Sequence, residues 1–376
     1  MRLLSAELSD FRNIQSAHLD FSPRFTALVG ANGQGKTNAL EALYLLTALR
    51  PLRNVNRRVL LKQGTSKAKI SVRVERDTTG LVHDLGVELT PSKRVLSKDD
   101  KTVDASQFIG CAVAVCFTPD DLQLAKAGPD LRRRFLDRAL LNVRPSYLTS
   151  ALRYQKAVRD RNKVLADVGN DELLDAFDAI IAKEGAVIML ERARFVAQLQ
   201  PRVQEGFELI ASPAPRFEMR YACRLDTLNV EDLEQTQSAF YDKLQRRRTM
   251  DRARRTTSVG PHLDDLDLRL GGEPVKERAS QGQHRALVLA LKLAEITHLA
   301  ERLGEAPLLF LDDMSSELDA TRTGQLFEAV RALDGQVILT GTQTPTGLTA
   351  RDSSELAIYN VKEGRLTPAD SGMQSA

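Results

Sequence analysis

The sequence predicts an α/β head built from both ends of the chain, with a compact, mainly helical lobe inserted between them. Three observations carry this. Gly30-Ala31-Asn32-Gly33-Gln34-Gly35-Lys36-Thr37 fits the spacing G-x-x-x-x-G-K-S/T, between a short apolar run and a helix without breakers. Far downstream, Pro307-Leu308-Leu309-Phe310-Leu311-Asp312-Asp313 is an apolar run closing on two acids. Between the two, residues 131–252 are rich in Arg, Leu, Ala and Glu and repeat their apolar residues at helical spacing. The expected division is 1–130 for the N-terminal half of the head, 131–252 for the lobe and 253–376 for the C-terminal half.

Composition sets outer bounds. At 376 residues the chain can build two or three units around a sizeable core. A net charge of +3 announces no nucleic-acid binder, so any basic surface must be local. The three cysteines, Cys111, Cys116 and Cys223, form no C-x-x-C pair, and the first two sit in an apolar run as reduced thiols would. No apolar run reaches the roughly 18 residues of a bilayer span, and no signal-peptide core follows Met1. A cytoplasmic protein without a membrane segment is expected.

Taken in order, residues 2–9 and 16–21 read as two strands, the second alternating apolar and polar side chains. Ser22-Pro23 turns the chain into the buried strand Phe25–Val29, and Asn38–Leu49 reads as the helix after the glycine-rich loop. Ile70–Glu75 and Leu85–Leu89 alternate about a Thr78-Thr79-Gly80 turn, which predicts a hairpin. Lys93–Lys101 is charged and reads as an exposed loop. Ala112–Phe117 is a strand covered on both faces. Thr118-Pro119-Asp120-Asp121 looks like a helix start with Thr118 as cap. In the lobe, Asp130–Val143, Tyr147–Val168 and Glu172–Leu199 read as helices, and Arg216–Ala222 as an interrupting strand. Residues 267–272 form a strand and turn, Ala279–Gln283 opens a helix through Leu303, and Gln336–Thr340 and Leu356–Val361 are further strands before a frayed tail from Pro368.

The glycine-rich loop is built for phosphate. Glycines at 30, 33 and 35 let the backbone turn so that N–H groups, Ala31, Asn32 and Gln34 included, point inward at an anion. The following helix adds its positive end. Lys36 would reach the β- and γ-phosphates, and the Thr37 hydroxyl would ligate Mg²⁺. Asp312 would hold Mg²⁺ through water opposite Thr37, and Asp313 would position or deprotonate an attacking water. Arg12 sits where it could face the nucleotide. A guanine reader N-K-x-D is missing, since Asn162-Lys163-Val164-Leu165 lacks the acid, so ATP is favoured. His262 lies near Asp264 and Asp265 without a second histidine, too few ligands for a metal. Arg132-Arg133-Arg134 and Arg246-Arg247-Arg248 are basic runs, either solvated faces or DNA contacts. Ser280, Gly282 and Gln283 place a hydroxyl and N–H groups at a helix start, a second phosphate cradle.

The order of glycine-rich loop, Ser280-Gln281-Gly282-Gln283, acid-ended strand and Ser316-Glu317-Leu318-Asp319 looks like an ABC-type ATPase. In such proteins the S-x-G-Q segment of one subunit closes over ATP held by the other. A transport subunit would carry a histidine after the last core strand and a glutamate at position 313; Thr340-Gly341-Thr342-Gln343 and Asp313 stand there. An SMC- or Rad50-type head of another pathway is the other alternative. Within the class the chain resembles the RecF family of bacterial recombination-repair ATPases. The resemblance rests on Phe11-Arg12-Asn13, Gly30 through Tyr44, Phe117–Leu122, Arg132–Asp137, Tyr154-Gln155-Lys156, Gly260-Pro261-His262, Ala279–Gln283 and Leu311–Asp319. One departure is Leu263, where the family usually has arginine before two acids. The resemblance implies an ATP-dependent homodimer, slow ATP hydrolysis, DNA binding, and work with RecO and RecR at gapped or stalled DNA.

Overall fold

The computed structural model describes residues 1–52, 55–166, 171–211, 213–313, 324–325, 328, 331–332, 335–343 and 355–369. The chain opens with β1 (Arg2–Phe11), β2 (Ile14–Asp20), β3 (Phe25–Val29) and α1 (Lys36–Ala48). Next come β4 (Ala68–Glu75), β5 (Val82–Leu89), β6 (Arg94–Lys98), β7 (Lys101–Val103), α2 (Ala105–Phe108) and β8 (Ala114–Phe117). Then follow α3 (Pro129–Val143), α4 (Ser146–Ala166), α5 (Asp171–Ile210), β9 (Phe217–Ala222) and α6 (Leu233–Arg254). After β10 (Asp265–Leu270), β11 (Glu273–Pro274) and α7 (Val275–Arg278) come α8 (Gln281–Leu303), β12 (Leu308–Leu311), β13 (Val337–Gly341), β14 (Leu356–Lys362) and β15 (Arg365–Pro368).

These elements form two compact units. The first joins Met1–Leu122 to Val288–Ala376, and the second is Gln123–Leu287. The first unit holds two sheets. One is antiparallel, in the order β2-β1-β4-β5-β6-β7. The other runs β15-β14-β3-β13-β12-β8, parallel throughout except for β15. Strands β8, β12 and β13 are buried along their whole length, as parallel strands covered on both faces must be. The register aligns Val29 with Gly341 and Asn360, and Leu311 with Phe117. The carboxyl ends of these strands therefore share one edge, where open α/β sheets bind ligands.

Two local expectations are corrected here. Residues 93–101 are not a loop: β6 and β7 extend the antiparallel sheet at its edge. Short edge strands tolerate the charges that made this stretch look irregular. Thr118 does not cap a helix either, since only a 3₁₀ turn, Pro119–Gln123, follows it. Asp121 accepts from the Thr118 N–H at 2.8 Å and from its hydroxyl at 2.9 Å, which closes the turn locally.

The second unit packs α3, α4, α5 and α6 with the three-stranded sheet β11-β10-β9. The strand Arg216–Ala222 is β9, and it pairs antiparallel with β10 from Leu270↔Phe217 to Asp265↔Ala222. This pairing ties residues 253–287 to the lobe, so the unit boundaries fall at 122/123 and 287/288 rather than at the composition shifts. Helix α5 passes Pro201 and continues to Ile210 instead of stopping near Leu199. Its added turns cover β9. Gln200 and Gln204 accept from the N–H groups of Met219 and Phe217 at 2.5 and 2.6 Å, and Phe207 packs on Phe217 with ring centroids 6.4 Å apart.

A polar core runs through this unit. Arg161 is fully buried and donates to Asp178 at 2.6 Å, Asp251 at 2.8 Å and Thr257 at 2.9 Å. Arg192 bonds Asp137 and the Pro261 carbonyl. Burial lowers the pKa of His262, keeping it neutral. Its Nε2 donates to the Thr257 carbonyl, and its Nδ1 accepts from the Tyr154 hydroxyl at 2.5 Å. The histidine is a bracing residue, and no group of three or more metal-ligating side chains occurs among the described residues.

Candidate functional site

At the carboxyl edge of the parallel sheet, described residues at the ends of β12 and β13 meet the loop after β3 and the start of α1. Gly30 through Gly35 link Val29 to α1, whose first residues are Lys36 and Thr37. Gly33 and Gly35 have φ of 80° and 112°, left-handed conformations that favour glycine. Nothing lies within 4 Å of the Cβ position at Gly33, so the backbone there is open to a ligand. Lys36 is 6% exposed, and its ammonium donates to the carbonyls of Gly30 and Ala31 at 2.7 and 2.9 Å. The Thr37 hydroxyl donates to Asp312 Oδ1 at 2.7 Å. The structure thus brings Lys36, Thr37 and Asp312 together from opposite ends of the chain.

Strand β13 separates β3 from β12, and its Thr340 joins the acids. The Thr340 hydroxyl donates to Asp312 Oδ1 at 2.8 Å and accepts from the Asp313 N–H at 2.9 Å. Asp313 has a φ of 46°, unusual for a residue with a side chain and frequent at working sites. Arg12 also has a positive φ, 55°. Its guanidinium reaches Glu41 Oε2 from Nε at 2.9 Å and from Nη2 at 2.8 Å. Glu41 is 2% exposed, and its Oε1 has no hydrogen-bond partner among the described residues. Arg12, Thr37, Asn38, Glu41, Thr118 and Asp312 all line one cleft of about 170 Å³. An open glycine backbone, a cation resting on loop carbonyls and a hydroxyl–carboxylate pair fit a nucleotide phosphate chain with a divalent cation.

Sequence reasoning passed over the brace behind the loop. Asn13 donates to the Gln34 carbonyl at 3.1 Å and accepts from the Asn38 amide at 2.9 Å. The β14–β15 turn supplies two more bonds: the Gly364 N–H donates to the Gln34 carbonyl and the Glu363 N–H to Gln34 Oε1, both at 2.8 Å. Gly364, at φ 77°, presses so closely that a Cβ would stand 2.2 Å from the Asn13 carbonyl. The signal for Asn13 was its place in Phe11-Arg12-Asn13; Gly364 offered none. Asn13→Ala is expected to lower affinity for ATP about tenfold, the worth of one or two hydrogen bonds (~1–2 kcal/mol). An unchanged rise in melting temperature with ATP would show that the brace does not set the loop.

Ser280, Gly282 and Gln283 belong to the second unit, at the start of α8. The Gln283 N–H donates to the Ser280 hydroxyl at 3.2 Å, and the Ser280 N–H donates to Gln283 Oε1 at 2.9 Å. This is a reciprocal capping box. Ser280 is exposed, and its O–H can still donate outward. The two acids after Leu263 are structural. Arg132 binds Asp265 through two bonds of 2.7 and 2.8 Å, and Asp264 accepts from the Tyr221 hydroxyl at 2.6 Å. Ser316-Glu317-Leu318-Asp319 lies outside the described residues. No helix among the described residues is long and apolar enough to cross a membrane.

The family described as RecF/RecN/SMC N terminal domain matches residues 2–366. The DNA replication and repair protein RecF of Anaeromyxobacter sp. (strain Fw109-5) is 42% identical over 98% of this chain and 99% of its own. That of Geobacter metallireducens is 37% identical over 98% of this chain and 100% of its own. A solved structure of the recombination mediator protein RecF-ATP in the RecFOR pathway has a TM-score of 0.88 at 25% identity, covering 98% of this chain and 97% of that one. The SmcHead bound to the C-winged helix domain of ScpA shares the fold alone, with a TM-score of 0.53 at 14% identity over 99% of this chain and 98% of that one. The fold is that of an ABC-type ATPase head built from both chain ends with an inserted helical lobe. The chain belongs to the RecF family of DNA replication and repair proteins.

Proposed function

We propose that this chain is an ATP-dependent DNA-binding protein of recombinational repair. On this reading it dimerises on ATP, hydrolyses it slowly and helps to load recombinase at single-stranded gaps and stalled forks. The observation that carries the reading is the meeting of Lys36, Thr37 and Asp312 beside an open glycine loop, in a member of this family. Bound Mg²⁺–ATP would supply a γ-phosphate whose charge bridges two subunits. Thr37 and Asp312 are suited to hold the cation, Asp312 through water. Lys36 would exchange the carbonyls of Gly30 and Ala31 for the β- and γ-phosphates. Asp313 would accept from the attacking water, with its backbone fixed by Thr340. Arg12 faces the same cleft, oriented by Glu41. The partner subunit's Ser280, Gly282 and Gln283 would close over the γ-phosphate. RecO and RecR are the protein partners this family role implies.

The test is Asp313→Asn. It keeps shape and ATP binding but removes the acceptor for water, so single-turnover hydrolysis is expected to slow about 100-fold. Sedimentation of the variant with ATP is expected to show dimers, because closure precedes hydrolysis. A wild-type rate would remove Asp313 from the reacting water. Monomers at saturating ATP, in variant and wild type alike, would overturn the dimer switch.

A further inference from the structure

We infer that the outward face of α4 docks the phosphate backbone of duplex DNA through Lys156, Arg159 and Lys163. The inference rests on the DNA-binding reading above and assigns it a surface. Helix α4 buries Tyr147, Tyr154, Ala157, Val158, Arg161 and Leu165 on one side. Lys156, Arg159 and Lys163 are all exposed on the other. At 3.6 residues per turn the three fall within about 60° of one another around the axis and span about 10 Å along it.

One neighbouring acid, Asp160, is attracted by all three cations but, among the described residues, pairs directly with Lys163 alone, so the face keeps an excess of positive charge. Lys156 and Arg159 have no hydrogen-bond or ion-pair partner among the described residues. Lys163 is 78% exposed and among the described residues pairs with Asp160, at 3.0 Å. Arg153 flanks the row, 65% exposed, with Glu184 at 3.5 Å. Cations three and four positions apart on one helix face repel each other and weaken the helix. A polyanion laid along the face would reverse that repulsion.

Most arginines of the basic runs behave differently. Arg132 is bound to Asp265, and Arg133 to the Asp264 carbonyl and to Asp130. Arg248 is bound to Asp175 and Asp178, Arg252 to Asp171, and both Arg246 and Lys243 face Asp226. These cations are matched by acids of the same unit, whereas Lys156 and Arg159 are not. Arg134 and Arg247 of the runs are likewise exposed without an acid partner among the described residues, but each is the single unmatched member of its run.

The chemistry favours a duplex. A single strand is held by cations together with aromatic side chains that stack on bases. The two tyrosines of α4 are buried, so its outer face offers no stacking platform. What remains is a stiff row of point charges, which positions a backbone without reading sequence.

The test replaces the row by glutamine, a good helix former, in Lys156→Gln/Arg159→Gln/Lys163→Gln. Anisotropy of a fluorescein-labelled duplex is measured with ATP over a series of salt concentrations, beside the matching single strand. Each lost phosphate contact removes about 0.9 from the slope of log K against log salt, so the triple variant should be flatter by about 2.7. Arg159→Gln alone should lose about 0.9, which guards against misfolding of the triple variant. Duplex binding with the wild-type slope overturns the assignment, and is the result expected if the face serves an acidic protein. A slope change confined to the single strand also overturns it. Failure of the wild-type protein to bind duplex at all would instead remove the DNA reading on which the assignment rests.

Discussion

Lys36→Ala is expected to weaken ATP binding by about 30-fold to several thousand-fold. The range corresponds to truncating one partner of a buried, hydrogen-bonded charge pair, about 2–5 kcal/mol. The ammonium is already in place: it is 6% exposed and pinned by two loop carbonyls at 2.7 and 2.9 Å. Little ordering is left to be done when phosphate arrives, and the charge-assisted bonds to phosphate replace weaker ones to neutral carbonyls, so a net gain should appear as affinity. No other lysine lies in the loop, and none lines the cleft beside it among the described residues. Stability without nucleotide should change little, because Gly30 and Ala31 are not buried and water can replace the lost donor. The two effects are separated by a fluorescent-nucleotide titration and a melting curve without ligand. Equal affinity for wild type and variant would sink the phosphate-loop assignment.

The loop and the acid-ended strand were legible because their chemistry is local. A positive φ at Gly33 and Gly35, a helix start and an apolar strand closing on Asp312 each leave a mark within a few residues. The brace was not legible. Asn13, Gln34 and Gly364 meet through bonds to backbone atoms, and Gly364 is remote in sequence from both of the others. Glu41 looks like an ordinary helix-surface acid, yet the fold buries it against Arg12. The arginine runs stood out because consecutive charges are conspicuous, but Arg132 and Arg248 answer acids far along the chain. The unit boundary at 287/288 was hidden for a similar reason. Only the pairing of β9 with β10 shows that residues 253–287 pack with the lobe.

Mixing two inactive variants should restore about a quarter of wild-type ATP hydrolysis. Lys36→Ala spoils the phosphate loop. Ser280→Arg puts a long cation at the exposed start of α8, where the γ-phosphate held by the partner subunit should sit. Each variant alone forms dimers whose two sites both carry a lesion. In a mixed dimer one site collects both lesions and the other joins two wild-type halves. Random pairing makes about half the dimers mixed, each with one good site of two, hence about a quarter of the activity. If Lys36 and Ser280 instead served one site within a single chain, no subunit in the mixture would be intact and nothing would return. Ser280→Arg also removes the capping box with Gln283, a loss of about 1 kcal/mol. A melting curve must therefore show the variant folded before its inactivity is read as a blocked site. Native mass measurement with ATP must show mixed dimers, and DNA should be present if it stimulates turnover. Folded, mixed dimers that recover no hydrolysis would rule out a site shared between subunits.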